Sequence, residues 1–236
     1  QPDVVGLQEI KVQEDQFPFA EMEELGYHST IFGQKGWNGV AVLSKEPAEV
    51  LETGLAGQEE MGARLLTVAV GGINFTTVYC PNGKTLMHED YPAKLMWLNR
   101  LADQFEGRSS GEQQTVLCGD FNVVPAPIDC WRGESADGSI FCTDEERSCV
   151  QRLRDIGLID SYRDLYPQEQ TFSWWDYRGG AFHQGHGLRI DHVYVSPATR
   201  ARVVEARTDR DYRKKKEGFT ASDHAPVIVD LDEAHG

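Results

Sequence analysis

A β-hairpin is predicted by the stretch Leu65-Leu66-Thr67-Val68-Ala69-Val70-Gly71-Gly72-Ile73-Asn74-Phe75-Thr76-Thr77-Val78-Tyr79. Its two halves are rich in β-branched and apolar residues, which is typical of strands. The two glycines between them are a common two-residue hairpin connection, because glycine accepts the positive φ that such a turn requires. We therefore expect two antiparallel strands, at residues 65–70 and 73–79.

The same strand pattern recurs on both sides of this hairpin. Further strands are predicted at residues 4–7, 39–43, 115–118, 171–177, 189–195, 202–208 and 225–231. Helices are predicted at residues 17–25 and 91–105, and a third helix starts at the capping box Thr143-Asp144-Glu145-Glu146. Tight turns between neighbouring strands, with helices interspersed, indicate an α+β fold in which two β-sheets pack face to face with helices outside. We expect a single domain over residues 1–236.

Composition limits the class of protein. Of the 236 residues, 40% are hydrophobic and 26% are charged, which is typical of a globular protein with a sizeable core. No apolar run approaches the ~20 residues of a membrane span, and no secretory leader is recognisable, so we expect no membrane association. The five cysteines include no Cys-x-x-Cys pair, which argues against a zinc ribbon or a disulfide framework and fits the reducing cytoplasm.

The net charge of −15 at first argues against a nucleic-acid partner. The charge is unevenly distributed, however, because residues 171–226 carry 10 basic and 7 acidic side chains. A locally basic region can hold a polyanion, particularly where a divalent metal masks part of the acidity. This region is alternatively only the less acidic part of the surface, and charge alone does not separate the two interpretations.

Several polar residues stand where predicted strands begin or end, and one interrupts an apolar strand. They are Glu9, Asp120, Asn122, Asp191, Asp223 and His224. Asp120 and Asn122 are separated by one residue, so in an extended chain their side chains project to the same face. A buried, unpaired Asp191 would be costly, and His224 is an available partner. Strand ends gathered at one edge of the sandwich would bring these groups together, where a cation or protons must compensate their charge.

The motifs that contain these residues resemble the exonuclease III family of apurinic/apyrimidinic (AP) endonucleases over essentially the whole chain. In order they are Gly6-Leu7-Gln8-Glu9-Ile10-Lys11, Val78-Tyr79-Cys80-Pro81-Asn82-Gly83, Gly119-Asp120-Phe121-Asn122, Phe172-Ser173-Trp174-Trp175-Asp176-Tyr177-Arg178, Gly187-Leu188-Arg189-Ile190-Asp191 and Ser222-Asp223-His224-Ala225-Pro226-Val227. The third and last motifs are shared with a wider superfamily that includes DNase I and inositol polyphosphate 5-phosphatases. The resemblance implies a four-layer, DNase I-like α/β sandwich of two mixed sheets.

The resemblance also implies roles for the matched positions. Glu9 would hold Mg²⁺, with Mn²⁺ possible, and Asp223 would lie near the metal. Asp120 would act as the general base or handle the proton of the leaving oxygen, and Asn122 would orient the water or the phosphate. His224, held by Asp191, would contact a phosphate oxygen. Tyr79 and Asn82 would donate hydrogen bonds to the phosphate.

Recognition of DNA would involve a second set of residues. By resemblance, Trp174 and Leu188 line a pocket for a base-less sugar, which unstacks at little cost. Because successive strand residues face opposite ways, one of Trp174 and Trp175 belongs to the core, and we assign Trp175 to it. Contacts to the DNA backbone are expected from basic side chains: Lys11, Lys35, Arg178, Arg189 and the run Arg213-Lys214-Lys215-Lys216.

The chain departs from the family at its start. Family members begin with a strand carrying Asn-x-Asn and a helix, on the order of 25 residues, whose loss would expose a sheet edge and remove a metal ligand. We therefore expect an N-terminally incomplete domain with impaired activity.

The expected function is a Mg²⁺-dependent DNA-repair enzyme that cleaves 5′ to AP sites or removes nucleotides 3′→5′ from duplex ends. Its partner would be double-stranded DNA, abasic or damaged at the 3′ end, and the protein would act as a cytoplasmic monomer. The first alternative is a phosphodiesterase or phosphatase of the same superfamily that acts on a lipid or inositol phosphate. A non-catalytic DNA-binding remnant is the second.

Overall fold

The computed structural model describes residues 1–108, 111–214, 218 and 220–232. Its strands, in chain order, are β1 (Val4–Gln8), β2 (His28–Phe32), β3 (Val40–Ser44), β4 (Glu49–Thr53), β5 (Leu65–Val70), β6 (Ile73–Tyr79), β7 (Gln114–Asp120), β8 (Ile159–Asp160), β9 (Asp191–Val195), β10 (Val203–Thr208) and β11 (Val227–Leu231). Its α-helices are α1 (Phe19–Glu24), α2 (Asp90–Phe105), α3 (Asp144–Asp155), α4 (Ser161–Leu165), α5 (Ala181–Gln184) and α6 (Pro197–Arg200).

A six-stranded sheet forms the centre of the molecule, with strand order β4-β5-β6-β7-β9-β8. The predicted hairpin is confirmed, because β5 and β6 pair antiparallel from Leu65 opposite Val78 to Val70 opposite Ile73. β6 and β7 run parallel, and α2 lies in the connection between them. The remaining pairs of this sheet are antiparallel, so the sheet is mixed.

Alternating side chains of the central sheet enter two different cores. Leu65 and Leu117 pack against α2 and α3, where they meet Trp97 and Leu153. Leu66, the next residue along β5, packs instead against β3 of the small sheet β1-β3-β2. This alternation is the period of two expected for a strand that is covered on both faces.

The second sheet layer has two antiparallel parts. The three-stranded part β1-β3-β2 packs on the β5 side of the central sheet, with the short helix α1 against β2. The two-stranded part β10-β11 packs on the β7 and β9 side, through Val116, Val195 and Val203. Together with α2 and α3 on the opposite face, these layers make the predicted α+β sandwich.

Two features of the secondary structure differ from the prediction. The predicted strand at residues 171–177 is wrong, because this stretch forms only the isolated bridges of Trp174 with Leu188 and with His224. Strands β2, β4 and β8 and the short helices α4, α5 and α6 were not predicted, and β4 is a largely exposed edge strand with no clear alternation of polar and apolar residues. The third helix begins as predicted, with a capping box between Thr143 and Glu146.

The register of the central sheet aligns three of the predicted site residues side by side. Tyr79 pairs with Asp120 across β6 and β7, and Asp120 pairs with Asp191 across β7 and β9. All three therefore lie in one row at one edge of the sheet. No helix in the described part of the chain is both long and apolar enough to cross a membrane.

Candidate active site

Asp120 lies at the end of β7 and is almost completely buried. Its Oδ1 accepts a hydrogen bond from the backbone N–H of Asn122 at 2.8 Å, and its Oδ2 accepts one from Asn122 Nδ2 at 3.1 Å. Asn122 has φ 52°, so the chain turns sharply rather than continuing extended as the sequence had indicated. The two side chains meet because of this turn.

Glycine is required at position 119, immediately before Asp120. Gly119 has φ 137°, and a Cβ built there would lie 2.0 Å from the carbonyl oxygen of Val78 in the neighbouring strand. A side chain cannot be accommodated so close to backbone, and L residues rarely adopt this φ. The Gly-Asp-x-Asn motif thus combines a close strand contact with the turn that aims Asn122 at Asp120.

Asp191 and His224 form the predicted couple. His224 Nδ1 lies 2.9 Å from Asp191 Oδ2, which leaves Nε2 facing Asp120 Oδ2 at 4.0 Å. Burial alone would lower the pKa of His224, but the charge of Asp191 and the hydrogen bond to it raise that pKa to about 10. The imidazole is therefore positively charged at neutral pH, with one N–H directed into the site.

The pKa of Asp120 is also raised, which for a carboxyl group favours the neutral form. Burial, together with the negative charges of Asp191 and Glu9, raises the pKa of Asp120 to about 7, while His224 and the Asn122 N–H oppose the rise. A carboxyl group whose pKa lies near neutrality can accept a proton during a reaction and release it afterwards. This property suits either of the two proton-transfer roles that the family resemblance implies for Asp120.

Tyr79 lies on the other side of Asp120 in the same row. Arg64 stacks over its ring, with the guanidinium carbon 5.0 Å from the ring centroid, and Arg64 Nη1 donates to the Tyr79 carbonyl oxygen. Burial, followed by the charges of Glu9 and Asp120, raises the pKa of the Tyr79 hydroxyl well above its usual value. The hydroxyl therefore keeps its proton at neutral pH and is available as a donor.

Glu9 follows β1 and closes the site from the three-stranded part of the second layer. Glu9 and Lys11 both have positive φ values, 53° and 57°, and their side chains form an ion pair at 2.8 Å. Backbone strain of this kind at non-glycine residues is concentrated at functional sites. The strained turn presents the carboxylate of Glu9 to the cavity that Asp120 lines.

Asn82 and Trp174 complete the wall of the site. Asn82 Nδ2 donates to Asn122 Oδ1 at 3.1 Å, so the two asparagine amides are linked. Trp174 Nε1 donates to Asp223 Oδ2 at 2.9 Å, which fixes both side chains. Trp175, the next residue, is 2% exposed and belongs to the core as expected.

These residues surround one cavity of about 160 Å³. Its lining consists of Glu9, Tyr79, Asn82, Asp120, Asn122, Phe141, Trp174, Ile190, Asp223 and His224. Three carboxylates therefore face one space, with Asp191 behind His224. Within the described residues, no group of three or more His, Cys, Asp or Glu side chains is arranged as a complete metal cage. Magnesium needs none, because it usually binds one or two carboxylates and keeps several waters, and the oxygen donors of Glu9 and Asp223 fit that preference.

None of the remaining predicted contact residues that the structure describes lines this cavity. Leu188 pairs through its backbone with Trp174, and Lys11 is held by Glu9. Arg178 is highly exposed and forms an ion pair with Asp176 at 2.8 Å. Arg189 is 2% exposed and bound by two buried aspartates, so the expectation that it contacts DNA is wrong.

The basic run divides between described and undescribed residues. Arg213 stacks on Tyr177 and Phe182, and Lys214 pairs with Asp211, whereas residues 215 and 216 lie outside the described part. Sequence reasoning missed Arg64, Phe141 and Ile190. Ile190 adjoins Asp191 in a recognised motif and could have been found there, but no local signal marks Arg64 or Phe141.

The chain is similar to known proteins over nearly its whole length. Residues 1–224 match the Endonuclease/Exonuclease/phosphatase family. Exodeoxyribonuclease III of Haemophilus influenzae is 36% identical over 98% of this chain and 90% of its own length. A 3′ phosphatase from Neisseria, solved with a product DNA hairpin, has a TM-score of 0.93 at 36% identity, covering 98% of this chain and 90% of that one. An AP endonuclease from Archaeoglobus fulgidus has a TM-score of 0.92 at 32% identity, with the same coverage. The chain belongs to the endonuclease/exonuclease/phosphatase family.

Proposed function

We propose that this protein is a DNA-repair phosphodiesterase that depends on a divalent metal. It cleaves DNA on the 5′ side of AP sites and removes nucleotides 3′→5′ from duplex ends. The observation that carries the proposal is the row of Tyr79, Asp120 and Asp191 at one sheet edge, with His224 against it. Support comes from the similarity to exodeoxyribonuclease III and to the AP endonuclease of Archaeoglobus fulgidus.

The protein side chains supply a proton acceptor and several donors around the scissile phosphate. Asp120 takes the proton of the attacking water, and Asn122, held on both oxygens of Asp120, orients that water. His224 donates its Nε2–H to a phosphate oxygen, since Asp191 occupies Nδ1. Tyr79 and Asn82 donate to the same phosphate from the other side.

Glu9 and Asp223 would hold Mg²⁺ or Mn²⁺. Bound there, the metal would supply positive charge to balance the negative charge that develops on the phosphate and the leaving oxygen. Its contribution is needed, because a general base supplies only about 10²–10⁴-fold and phosphate ester hydrolysis is among the slowest uncatalysed reactions. Trp174 orients Asp223 through the indole N–H, which keeps that carboxylate directed at the site.

Substrate selection depends on the apolar wall beside the phosphate site. Trp174 and Ile190 line the cavity, and Leu188 supports Trp174 from the adjacent bridge. We assign this wall to a flipped, base-less sugar, which is small enough to enter and unstacks readily. Lys11 and Arg178 contact the backbone of double-stranded DNA that is abasic or damaged at its 3′ end, and the protein acts as a cytoplasmic monomer.

The test is a comparison of substrates with the intact chain. A labelled duplex with one abasic analogue, the same duplex without it, and a soluble inositol polyphosphate are each incubated with Mg²⁺ and with EDTA. We expect chelator-sensitive incision of the abasic strand, with binding that weakens steeply as salt rises because phosphate contacts release counterions. Hydrolysis of the inositol phosphate without incision of DNA would overturn the proposal.

A further inference from the structure

Lys94, in the middle of α2, is a buried lysine directly behind the active site. Its side chain is 0% exposed, and its Nζ donates to the backbone carbonyl oxygen of Asn122 at 2.7 Å. The ammonium also pairs with Glu146 and lies 4.8 Å from the ring centroid of Phe141. Burial lowers the pKa of Lys94, and the charge of Glu146 opposes that effect. A buried ion pair at this position needs an explanation, because two apolar side chains would stabilise the fold at least as well.

Glu146 is itself fixed by the start of α3. Its Oε2 accepts hydrogen bonds from the backbone N–H and the hydroxyl of Thr143, and Thr143 Oγ1 accepts from the Glu146 N–H. The other carboxylate oxygen, Oε1, remains for Lys94. The capping box alone does not require a buried lysine. We therefore expect the reason for the ion pair to lie among the residues that Lys94 contacts.

The residue that Lys94 contacts is in an unfavourable backbone conformation. Asn122 has φ 52°, which is costly for a residue with a side chain. In this conformation its Nδ2 reaches Asp120 Oδ2 and the Cys80 carbonyl oxygen, while its Oδ1 accepts from Asn82. A relaxed backbone at Asn122 would withdraw the amide from all three partners.

The stem of Lys94 also supports the second asparagine. Gly83, which follows Asn82, has φ 83°, and a Cβ built there would lie 3.0 Å from Lys94 Cδ. The turn that presents Asn82 is therefore packed directly on the lysine side chain. One residue thus backs both of the turns whose amides face the phosphate site.

We propose that Lys94 is a positioning residue for phosphodiester hydrolysis: its buried ammonium, neutralised by Glu146, holds the turns of Asn122 and Asn82 in the geometry that orients their amides. This inference rests on the proposed function. A residue of purely structural importance would change stability, and activity would fall only as the protein unfolds.

The test replaces the ion pair without leaving a lone buried charge. The variant Lys94→Met/Glu146→Gln removes the ammonium and keeps an acceptor for the helix cap. We expect kcat for abasic-site incision to fall about 10–100-fold, the usual loss when a residue that orients catalytic groups is removed, with KM changed less than about twofold. The variant Lys94→Gln/Glu146→Gln retains a neutral donor and should recover part of kcat; it carries the test if the first variant does not fold.

The control is Leu153→Ala, in the core beneath α3, which should lower the melting temperature and leave kcat unchanged.

A double-mutant cycle decides whether Lys94 acts through Asn122. In an Asn122→Ala background, measured by single turnover, the Lys94 substitutions should have a smaller effect than in the wild type, because the part of their loss that passes through Asn122 is already included. An equal loss in that background, or an unchanged kcat in either folded Lys94 variant, would overturn the inference.

A readout without turnover separates this inference from the proposed function. The side-chain amide resonances of Asn122 should shift in the Lys94 variants and not in Leu153→Ala. Unshifted resonances would contradict the inference even if the wild type incises DNA, whereas an inactive wild type with shifted resonances would contradict only the proposed function.

Discussion

Asp120 and Asp160 are both buried aspartates on the central sheet, and their surroundings drive them in opposite directions. Asp160 accepts hydrogen bonds from Arg189, which also binds Asp129, and Arg163 binds Asp129 as well. Although burial alone would raise it, the charge of Arg189 holds the pKa of Asp160 at about 2. Burial and neighbouring carboxylates raise that of Asp120 to about 7.

The difference lies in charge balance. In the cluster around Asp160, two aspartates face two arginines, so each charge is compensated within the fold. In the active site, the carboxylates of Glu9, Asp120, Asp191 and Asp223 share the imidazolium of His224, with Lys11 on Glu9. The first arrangement leaves no charge uncompensated, whereas the second keeps negative charge in excess, at a cost in stability, which fits the cation of the proposed function.

The largest effect is expected from Asp120→Asn. Incision should fall roughly 10²–10⁴-fold, because the amide cannot accept the proton of water. The folded pKa of Asp120 lies above its unfolded value, so the contribution of Asp120 to stability is lost as pH rises from about 4 to about 7. At pH 8 the variant should therefore melt at the same temperature as the wild type or higher. Gel-based incision rates and melting curves of the same samples check both parts; a clear loss of stability at pH 8 would contradict the comparison.

The matched substitution Asp160→Asn should show the reverse. The substitution removes one of the two carboxylates that compensate the buried charge of Arg189. The free energy of unfolding should therefore fall by about 3–5 kcal/mol. Incision per folded molecule should remain within about threefold of wild type, since Asp160 does not face the cavity. Urea titrations measured beside the activity assay test this. Full stability with lost activity would show that Asp160 serves the reaction rather than the charge balance of the fold.

Two histidines sharpen the same comparison. His192 is buried next to Asp191, and burial followed by the charge of Arg189 lowers its pKa to about 4, whereas the pKa of His224 is about 10. The unfolded state binds the His192 proton more readily, so the contribution of His192 to the free energy of unfolding should fall by about 3 kcal/mol between pH 6.5 and pH 4, at about 1.4 kcal/mol per pKa unit, opposite in sign to the contribution of Asp120. The pH dependence of the urea midpoint, with His192→Asn as control, measures this. A variant with the wild-type slope over that range would exclude His192 as its source.

The smallest effect concerns the metal. Mg²⁺ at about ten times its dissociation constant should stabilise the wild type by about 1.4 kcal/mol, because it binds the folded state. Glu9→Gln removes a proposed ligand and should reduce the stabilisation, while Asp160→Asn should retain it. Melting temperatures with and without MgCl₂ provide the measurement, with equal concentrations of CaCl₂ as a test of general ionic effects. Equal Mg²⁺ responses in Glu9→Gln and wild type would remove Glu9 from the metal site.

Much of the site could be predicted because it is formed by strand ends. Asp120 was predicted at a strand end and Asp191 inside an apolar strand, whereas Tyr79 came from the family resemblance; the sheet register places all three in one row. The pairing of Asp191 with His224 followed from the cost of burying a lone carboxylate. The assignment of Trp174 to the cavity and Trp175 to the core followed from strand alternation and the resemblance, although residues 171–177 form no regular strand.

The remaining features depend on contacts between distant segments. Glu146 was recognised as part of a capping box, but its second oxygen binds Lys94, 52 residues away. Arg189 was expected at the DNA surface because a lone arginine carries no mark of burial, and its partners come from distant segments, Asp129 from the connection between β7 and α3 and Asp160 from β8. Arg64 and Phe141 reach the site only through tertiary packing, so no local pattern identifies them.

The chemical identity of the cut ends tests the central claim most directly. Hydrolysis directed by Asp120 at the bond 5′ to an abasic site predicts a 3′-hydroxyl on one fragment and a 5′-sugar phosphate on the other. Both should disappear with EDTA and in Asp120→Asn, as judged by electrophoretic mobility and by extension of the 3′ end with a polymerase. A 3′ end carrying an unsaturated sugar, formed equally in EDTA, would indicate β-elimination by a lysine and would contradict the account.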